Sequence, residues 1–295
     1  MTAQRTPLPG RRWHFQHGPM DIVIGADGES DAVGQAHEAA WQRFIPLLDE
    51  LVAELPLLRT PVRGARALQG AVARRMWQAC APYAPGFITP MAAVAGAVAQ
   101  ELVDCYRRAG VERAFVNNGG DIALHLAPGQ SVRVGLYADL ARLDARQLHR
   151  GIGVDGTIDI AHAMPVRGVA TSGWRGRSFS LGIADSVTVL AATAAMADAA
   201  ATVIANAVDV ADPRIVRRPA RELKDDSDLG ALPVTVEVSR LDAARVRTAL
   251  QRGLDQAHSL QASGLVEACA LVCQGLMMRT GPRAERRILT EAIAA

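Results

Sequence analysis

Lysine is almost missing from this chain of 295 residues: Lys224 is the single lysine among 32 lysine and arginine residues. The 30 acidic residues leave a formal net charge of only +2. This balance gives no strong positive field that would attract a nucleic acid backbone. We therefore expect no nucleic acid partner, and the arginine bias alone indicates no phosphate site.

Long apolar segments are also missing. No run of about 18 uncharged apolar residues occurs, so the sequence predicts no membrane-spanning helix and no membrane partner. Residues 1–18 have neither the apolar core of a signal peptide nor a cysteine that could accept a lipid. We expect a cytoplasmic protein.

Cysteine is scarce, with four residues in the whole chain. In the cytoplasm these thiols are expected to be reduced. Cys269 and Cys273 are spaced i, i+4, so on a helix they would lie on one face and could bind one metal ion together. No histidine or third cysteine accompanies them, so we interpret them as small buried hydrophobic residues.

The most informative segment that is present covers residues 181–208. Ser186 to Leu190 alternates β-branched residues as a half-buried strand does. Thr193 then provides an N-cap for an alanine-rich run without glycine or proline. The pattern predicts a strand that leads directly into a helix.

The polar residues of that predicted helix lie on one stripe. Between residues 194 and 208 only Asp198, Thr202 and Asn206 are polar, at spacing i, i+4, i+8. A carboxylate on an otherwise apolar helix needs a metal, another cation or several donors. The spacing therefore indicates a ligand-facing stripe. The alternative is that Asp198 reaches solvent through a gap and Thr202 bonds its own backbone.

Two glycine-containing segments could contribute to a pocket. Residues 113–126 predict two strands joined by the turn Asn117-Asn-Gly-Gly-Asp121, whose backbone N–H groups could cradle a phosphate or a flavin ring. Residues 166–180 predict a strand that ends in Ala-Thr-Ser-Gly, with Arg175 and Arg177 close behind. Hydroxyl, backbone and guanidinium donors in one short segment suit an anionic ligand, although a mobile surface loop would have the same composition.

The helix predicted after residue 86 has a strong start signal, with Thr89 as N-cap and Pro90 in the first turn. Its side chains are small, and Gly96 costs about 1 kcal/mol in helix propensity relative to alanine. We interpret the glycine as a sign that another element packs closely against this helix. A less favoured alternative is that the N–H groups at residues 89–91 bind a phosphate.

These segments together resemble the ApbE family, the flavin transferases that move FMN from FAD onto a protein threonine. Residues 117–122, 170–173 and 186–201 match its three signature segments in the family order. With Thr-Pro-Met-Ala-Ala-Val-Ala-Gly-Ala at 89–97, the chain most resembles a subfamily of short cytoplasmic ApbE-like proteins. The match covers about residues 85–210.

The resemblance implies an α/β or α+β fold, with mixed sheets flanked by alanine-rich helices in one large domain or two tightly packed subdomains. The whole chain, residues 1–295, would form one ApbE-like domain. Its signature core covers about residues 85–210, a helical segment covers residues 30–82, and a strand-helix segment covers residues 232–295.

The resemblance also implies a site. Asp198 and Thr202 match the family's Mg²⁺ ligands, which hold the ion against the FAD pyrophosphate. The residues that match the lining of the flavin pocket are Asn117, Gly119, Gly120, Asp121, Thr171, Ser172 and Gly173; we add Arg175 and Arg177 as anion donors. The chain departs from the family between residues 174 and 185, where the longer insert with His-Ile-x-Asp-Pro-x-Thr-Gly is missing.

Three functions remain open on this evidence. The first is an enzyme that binds FAD with Mg²⁺ and transfers FMN, in which Asp198 is the central catalytic residue. The second is a small-molecule hydrolase that reuses the pocket, with Asp121, Asp185, Ser172 and Ser178 as candidate acid, base or nucleophile. The third is a cofactor-binding protein without chemistry. Apolar segments near the C-terminus also make a homodimer plausible.

Overall fold

A computed structural model of the chain describes residues 2–65, 67–136 and 156–281. The fold is α+β, as expected. It divides into two compact units. The first comprises Met1–Val132, Asp159–Ala170 and Ala191–Ala199, and the second comprises Arg133–Ile158, Thr171–Leu190 and Ala200–Ala295. None of the helices in the described ranges is long and apolar enough to cross a membrane.

The first unit contains an antiparallel series of strands. In order these are β1 (Gln4–Leu8), β2 (Arg12–His17), β3 (Met20–Gly28), β4 (Val111–Asn118) and β5 (Asp121–Leu126). The strand β8 (Gly168–Ser172) adds to β5 through the pairs Val169 with Ile122 and Gly168 with Ala123. The strands β4 and β5 confirm the two strands predicted over residues 113–126, whereas β1 and β2 were not predicted.

Helices pack against this sheet. They are α1 (Ser30–Ala53), α2 (Leu55–Leu58), α3 (Ala71–Cys80) and α4 (Val94–Val103). The first buries Phe44 and Leu47 against β2 and β3, and it continues through Pro46 without a break. The fourth packs on β4 and β5 and is preceded by a 3₁₀ turn at Pro90–Ala93. The start signal at Thr89 therefore marks the 3₁₀ turn, and the α-helix begins five residues after Thr89, at Val94.

The second unit contains a second antiparallel group. Here β9 (Ser186–Ala191) pairs with β12 (Ala268–Cys273), which in turn pairs with β13 (Leu276–Arg279). The strands β10 (Ile215–Pro219) and β11 (Pro233–Val238) form their own ribbon, and β6 (Ser131–Leu136) and β7 (Gly156–Ala161) form another. Within the described ranges the remaining α-helices are α5 (Ala194–Ala207), α6 (Ala220–Leu223) and α7 (Ala243–Ala262). The last of these packs on β12 and β13.

The C-terminal apolar segment folds as a hairpin. Its turn places Gln274 at φ 46° and Gly275 at φ 81°, which suits a tight two-residue connection. The apolar segment at residues 265–278 is therefore not helical, and the expected homodimer stays a prediction. The tail beyond residue 281 lies outside the described residues.

Candidate functional site

The site is built around the start of α4, where glycine permits two helices to touch. A Cβ on Gly96 would lie 2.3 Å from the carbonyl oxygen of Ala194, in the first turn of α5. A Cβ on Gly168 would lie 2.2 Å from the carbonyl carbon of Thr193. The first turn of α5 is thus enclosed by backbone on two sides, which confirms the packing interpretation of Gly96.

The helix α5 begins as its sequence predicts. The hydroxyl of Thr193 accepts a hydrogen bond from the N–H of Met196 at 3.3 Å, as an N-cap residue does. Asp198 follows one turn later on the same helix. Because α4 crosses α5 there, the Asp198 side chain is directed at the N-terminus of α4.

Asp198 caps α4 from a distant part of the sequence. The residue at the N-cap position of α4 is Ala93, whose side chain accepts no hydrogen bond. The N–H of Gly96 instead donates to Oδ2 of Asp198 at 2.9 Å. A negative charge at this end of a helix is favourable, because the free N–H groups and the helix dipole both favour an anion.

The pKa of Asp198 is nevertheless raised to about 7. Burial is the main cause, and the backbone N–H groups of Gly96 and Ala95 offset it only in part. No cluster of three or more His, Cys, Asp or Glu side chains occurs in the described part of the chain. A bound cation would favour the carboxylate form, since an opposite charge lowers a carboxyl pKa.

The hairpin between β4 and β5 meets the same helix start. Gly119 and Gly120 both have positive φ, at 66° and 115°, and the N–H of Gly120 donates to Oδ1 of Asn117 at 2.9 Å. The predicted tight turn is therefore confirmed. Asp121 is buried opposite Asn118 in the strand pair. The first unit thus brings Asn117, Gly119, Gly120, Asp121 and Asp198 to the region of α4.

Asn118 is a residue of this region that the sequence analysis did not single out. Its Nδ2 donates to the carbonyl oxygen of Ala95 at 3.2 Å, and the residue is buried. The signal was present in the sequence, because Asn118 lies inside the Asn-Asn-Gly-Gly-Asp turn. Nothing in the sequence indicated its partner.

The other polar residues of the α5 stripe have different environments. Thr202 is half-buried, and within the described ranges its hydroxyl has no hydrogen-bond partner. Asn206 accepts from the N–H of Leu181 at 2.9 Å and from the hydroxyl of Ser180 at 3.2 Å. Asn206 therefore anchors the segment before β9, and the stripe that can face a ligand is reduced to Asp198 and Thr202.

The second unit holds the Thr-Ser-Gly segment. Thr171 and Thr188 share a hydroxyl hydrogen bond of 2.9 Å. A Cβ on Gly173 would lie 2.4 Å from the carbonyl oxygen of Asp185, so glycine is required where the loop of residues 174–185 closes on itself. The N–H of Trp174 donates to the carbonyl of Ala184 across the same closure.

The loop arginines and Asp185 have structural partners. Oδ2 of Asp185 accepts from the N–H of Gln274 in the β12–β13 turn, and Oδ1 lies 3.6 Å from Nε of Arg175. Arg175 also lies over the Trp174 ring at 5.0 Å, while Arg177 and Ser178 are exposed. Asp185 thus fixes a turn and a loop, which does not favour a role as free acid or base. Thr171, Ser172 and Gly173 lie at and just beyond the end of β8 in this unit.

Comparison with known proteins decides the family. The family model described as "AbpE bacteria" matches residues 4–280, nearly the whole chain.

The chain belongs to the ApbE-like family.

Relatives of this ApbE-like chain occur in methanogenic archaea. A UPF0280 protein of Methanopyrus kandleri is 36% identical over 210 residues, which is 70% of this chain and 78% of the relative. A UPF0280 protein of Methanosarcina acetivorans is 36% identical over 200 residues, which is 67% of this chain and 72% of the relative. These names state no activity.

A solved structure shares the fold. The ApbE protein of Thermotoga maritima superposes with a TM-score of 0.50 at 13% sequence identity and covers 94% of this chain and 96% of its own. At that identity the likeness concerns the fold and not the reaction. The expected ApbE-like fold is therefore confirmed.

Proposed function

We propose that this ApbE-like protein is an enzyme that binds FAD together with Mg²⁺ at the Asp198 face of α5 and transfers FMN to a protein threonine. The observation that carries the proposal is the environment of Asp198. Its carboxylate is largely shielded from water and held by the N–H of Gly96, and burial raises its pKa.

The residues present fit a magnesium ion. Mg²⁺ prefers oxygen ligands and usually keeps one or two carboxylates with waters and substrate phosphates, so a dense cluster of protein ligands is not required. Asp198 and Thr202 offer a carboxylate and a hydroxyl on the same face of one helix, one turn apart. The raised pKa of Asp198 supports this assignment, because a nearby cation would compensate the charge that burial disfavours.

Magnesium bound there would neutralise charge that develops on the pyrophosphate of FAD. The protein's own contribution would be positioning. Gly96 and Asn118 fix the helix start against which Asp198 lies. In the Asn117–Asp121 turn the N–H of Gly119 is the candidate donor to a phosphate oxygen, because the N–H of Gly120 already donates to Asn117. Preorganised donors of this kind need no rearrangement as the charge develops.

The transfer itself would be a phosphoryl substitution. The threonine oxygen of the acceptor forms a bond to the phosphorus on the FMN side of FAD, and the bond from that phosphorus to the bridging oxygen breaks. AMP leaves with the bridging oxygen, and the threonine proton passes to solvent or to a nearby base. Asp121 is our candidate for a residue that orients the flavin or accepts this proton, and Thr171, Ser172 and Gly173 are candidates for contacts to the flavin.

A panel of ligands tests the proposal. The purified protein is titrated with FAD, FMN, ADP and riboflavin in Mg²⁺ and in EDTA, with flavin fluorescence or calorimetry as the readout. We expect FAD and ADP to bind only with Mg²⁺, because both carry the pyrophosphate, and FAD to bind more tightly. Equal binding of FAD in EDTA, or no binding of FAD by the folded protein, would contradict the proposal.

A further inference from the structure

A depression of about 660 Å³ lies in the first unit, away from the Asp198 region. It is lined by the connection from α4 to β4, by the end of β5 and by the turn after β7. The charged and titratable side chains in its wall are Arg107, Arg108, His125, His162, Glu29 and Glu112. The proposed FAD function uses none of them.

Its position separates it from the candidate FAD region. His125 and Asp121 are four residues apart on β5, which is roughly 13 Å along an extended strand. Asp121 adjoins the hairpin turn, whereas His125 lies at the open end of the hairpin beside Val111. A ligand at one end would leave the other end free.

The basic groups converge on His125. A ring nitrogen of His125 lies 3.2 Å from the carbonyl of Val111, and Nδ1 of His162 lies 2.7 Å from the carbonyl of Leu126, the next residue on the strand. Arg167 lies beside them, because its guanidinium donates to the carbonyl of His162 at 2.8 Å. Each imidazole therefore uses one nitrogen on a backbone carbonyl, and among the residues that the structure describes its second nitrogen has no hydrogen-bond partner.

The charges that act on His125 are all positive. Burial lowers its pKa, the hydrogen bond to the Val111 carbonyl raises it, and Arg107, Arg167 and His162 lower it; the net direction is downward. Arg167 forms its hydrogen bonds with backbone carbonyls and His162, and it pairs with no carboxylate among the residues that the structure describes. Half-buried among these basic groups, His125 favours its neutral form, and an anion bound beside it would favour the protonated form.

The acidic residues of the wall do not supply that charge. Oε2 of Glu112 accepts from Nε2 of Gln130 at 3.4 Å, and the Glu29 carboxylate lies against Gly110. Asp104 pairs with Arg107 at 3.1 Å, but this pair is exposed and also shared with Arg75. Exposed pairs of this kind are weak, so Arg107 can turn to a ligand at little cost.

We propose that the depression binds an oxyanion, the phosphate or carboxylate group of a small molecule, through Arg107, His125 and His162. The anion accepts hydrogen bonds from the Arg107 guanidinium and from the second nitrogen of each imidazole, which must carry a proton to donate. Arg167 holds the His162 turn in place. The site is independent of Mg²⁺ and of Asp198.

The test is a calorimetric titration with inorganic phosphate and, separately, with succinate, in EDTA at constant ionic strength. The wild type is expected to bind at least one of the two saturably, and the preferred probe identifies the group. His125→Gln and Arg107→Gln are each expected to weaken binding about tenfold, as the loss of a charge-assisted hydrogen bond does. Histidine ring signals in NMR spectra of the wild type should shift with the same saturation.

Two controls separate this site from the FAD site and from general charge. Arg63→Gln removes an exposed arginine of the same unit, and Asp198→Asn removes the candidate magnesium ligand; both are expected to bind as the wild type does. Binding that is absent in the wild type, or that weakens equally in Arg63→Gln, would overturn the inference. Absence of Mg²⁺-dependent FAD binding in the wild type, with its phosphate binding intact, would instead refute the proposed function alone.

Discussion

Asn118 and Asp198 hold opposite ends of one peptide group. The amide of Asn118 donates to the carbonyl of Ala95 at 3.2 Å, and the carboxylate of Asp198 accepts from the N–H of Gly96 at 2.9 Å. These two backbone groups belong to the same peptide bond. A residue of the Asn117–Asp121 turn and a residue of the α5 stripe are thus joined through the first turn of α4.

Replacing Asn118 by alanine should loosen this arrangement. We expect the free energy of unfolding to fall by about 1 kcal/mol, the usual contribution of a buried hydrogen bond. Mg²⁺ affinity should fall severalfold as well, because Asn118 no longer fixes the peptide group whose N–H holds the Asp198 carboxylate. Urea unfolding and a Mg²⁺ titration measure the two effects. An unchanged Mg²⁺ affinity with reduced stability would show that Asn118 supports the fold only.

Gly96→Ala should be strongly destabilising. The new Cβ would lie 2.3 Å from the Ala194 carbonyl and 2.9 Å from the Asp198 Cβ, so the two helices must separate. We expect a loss of about 1–3 kcal/mol, as for other overpacked sites. Gly34→Ala is a matched control, since it lies in α1 with open space around it and should stabilise by about 0.5–1 kcal/mol. Equal effects of the two changes in urea unfolding would contradict the close crossing.

The stability of the metal-free protein should depend on pH through Asp198. Its pKa is raised from the ordinary value of 3.8 to about 7 in the folded state. Between these two pH values the folded protein therefore carries a proton on Asp198 that the unfolded chain has lost. This proton stabilises the folded state, and the stabilisation is lost as the pH rises from about 4 through about 7. We expect Asp198→Asn to flatten this part of the profile, because the amide keeps an acceptor for Gly96 without a charge.

Urea unfolding in EDTA at pH 5 and pH 8, on the wild type and Asp198→Asn, measures this effect. The difference between the pH dependences of the two unfolding free energies isolates the contribution of Asp198 from those of the other titrating groups. Identical pH profiles of the two would show that the carboxyl is not the buried group that the structure indicates. Added Mg²⁺ should restore stability at pH 8 in the wild type, because the ion competes with the proton.

Thr202 should matter for the metal and little for the fold. Its hydroxyl has no partner in the described part of the chain, so Thr202→Val removes an oxygen without breaking a hydrogen bond. We expect stability to change by less than about 0.5 kcal/mol while Mg²⁺ binding weakens. Thr202→Ser, which keeps the hydroxyl, should bind Mg²⁺ almost as well as the wild type. Equal Mg²⁺ affinity of the valine and serine variants would show that the Thr202 hydroxyl does not bind the ion.

Much of this site could be predicted from local patterns. The Thr193 cap, the spacing of Asp198 and Thr202 and the Asn-Asn-Gly-Gly-Asp turn each depend on residues close in sequence, and each matches the structure. The capping of α4 by Asp198 could not be predicted, because Gly96 and Asp198 are 102 residues apart and helical spacing gives no information about which N-terminus a carboxylate will meet.

The parts of the fold that were missed have similar reasons. The strand β1 is almost wholly exposed and contains Pro7, so it has neither the alternation nor the composition of an ordinary strand. The sequence of the β12–β13 hairpin is one continuous apolar run, and its periodicity does not distinguish a short buried strand from a helix. Its turn residues, Gln274 and Gly275, are not a typical hairpin pair.

The most direct test is a calorimetric titration of FAD into three proteins, the wild type, Asp198→Asn and Asp49→Ala, each in Mg²⁺ and in EDTA. Asp49 is an exposed carboxylate of the first unit and controls for the loss of one negative charge. We predict Mg²⁺-dependent binding by the wild type and Asp49→Ala, and its loss in a folded Asp198→Asn. Binding that survives in Asp198→Asn, or that ignores Mg²⁺ in all three, would contradict the account.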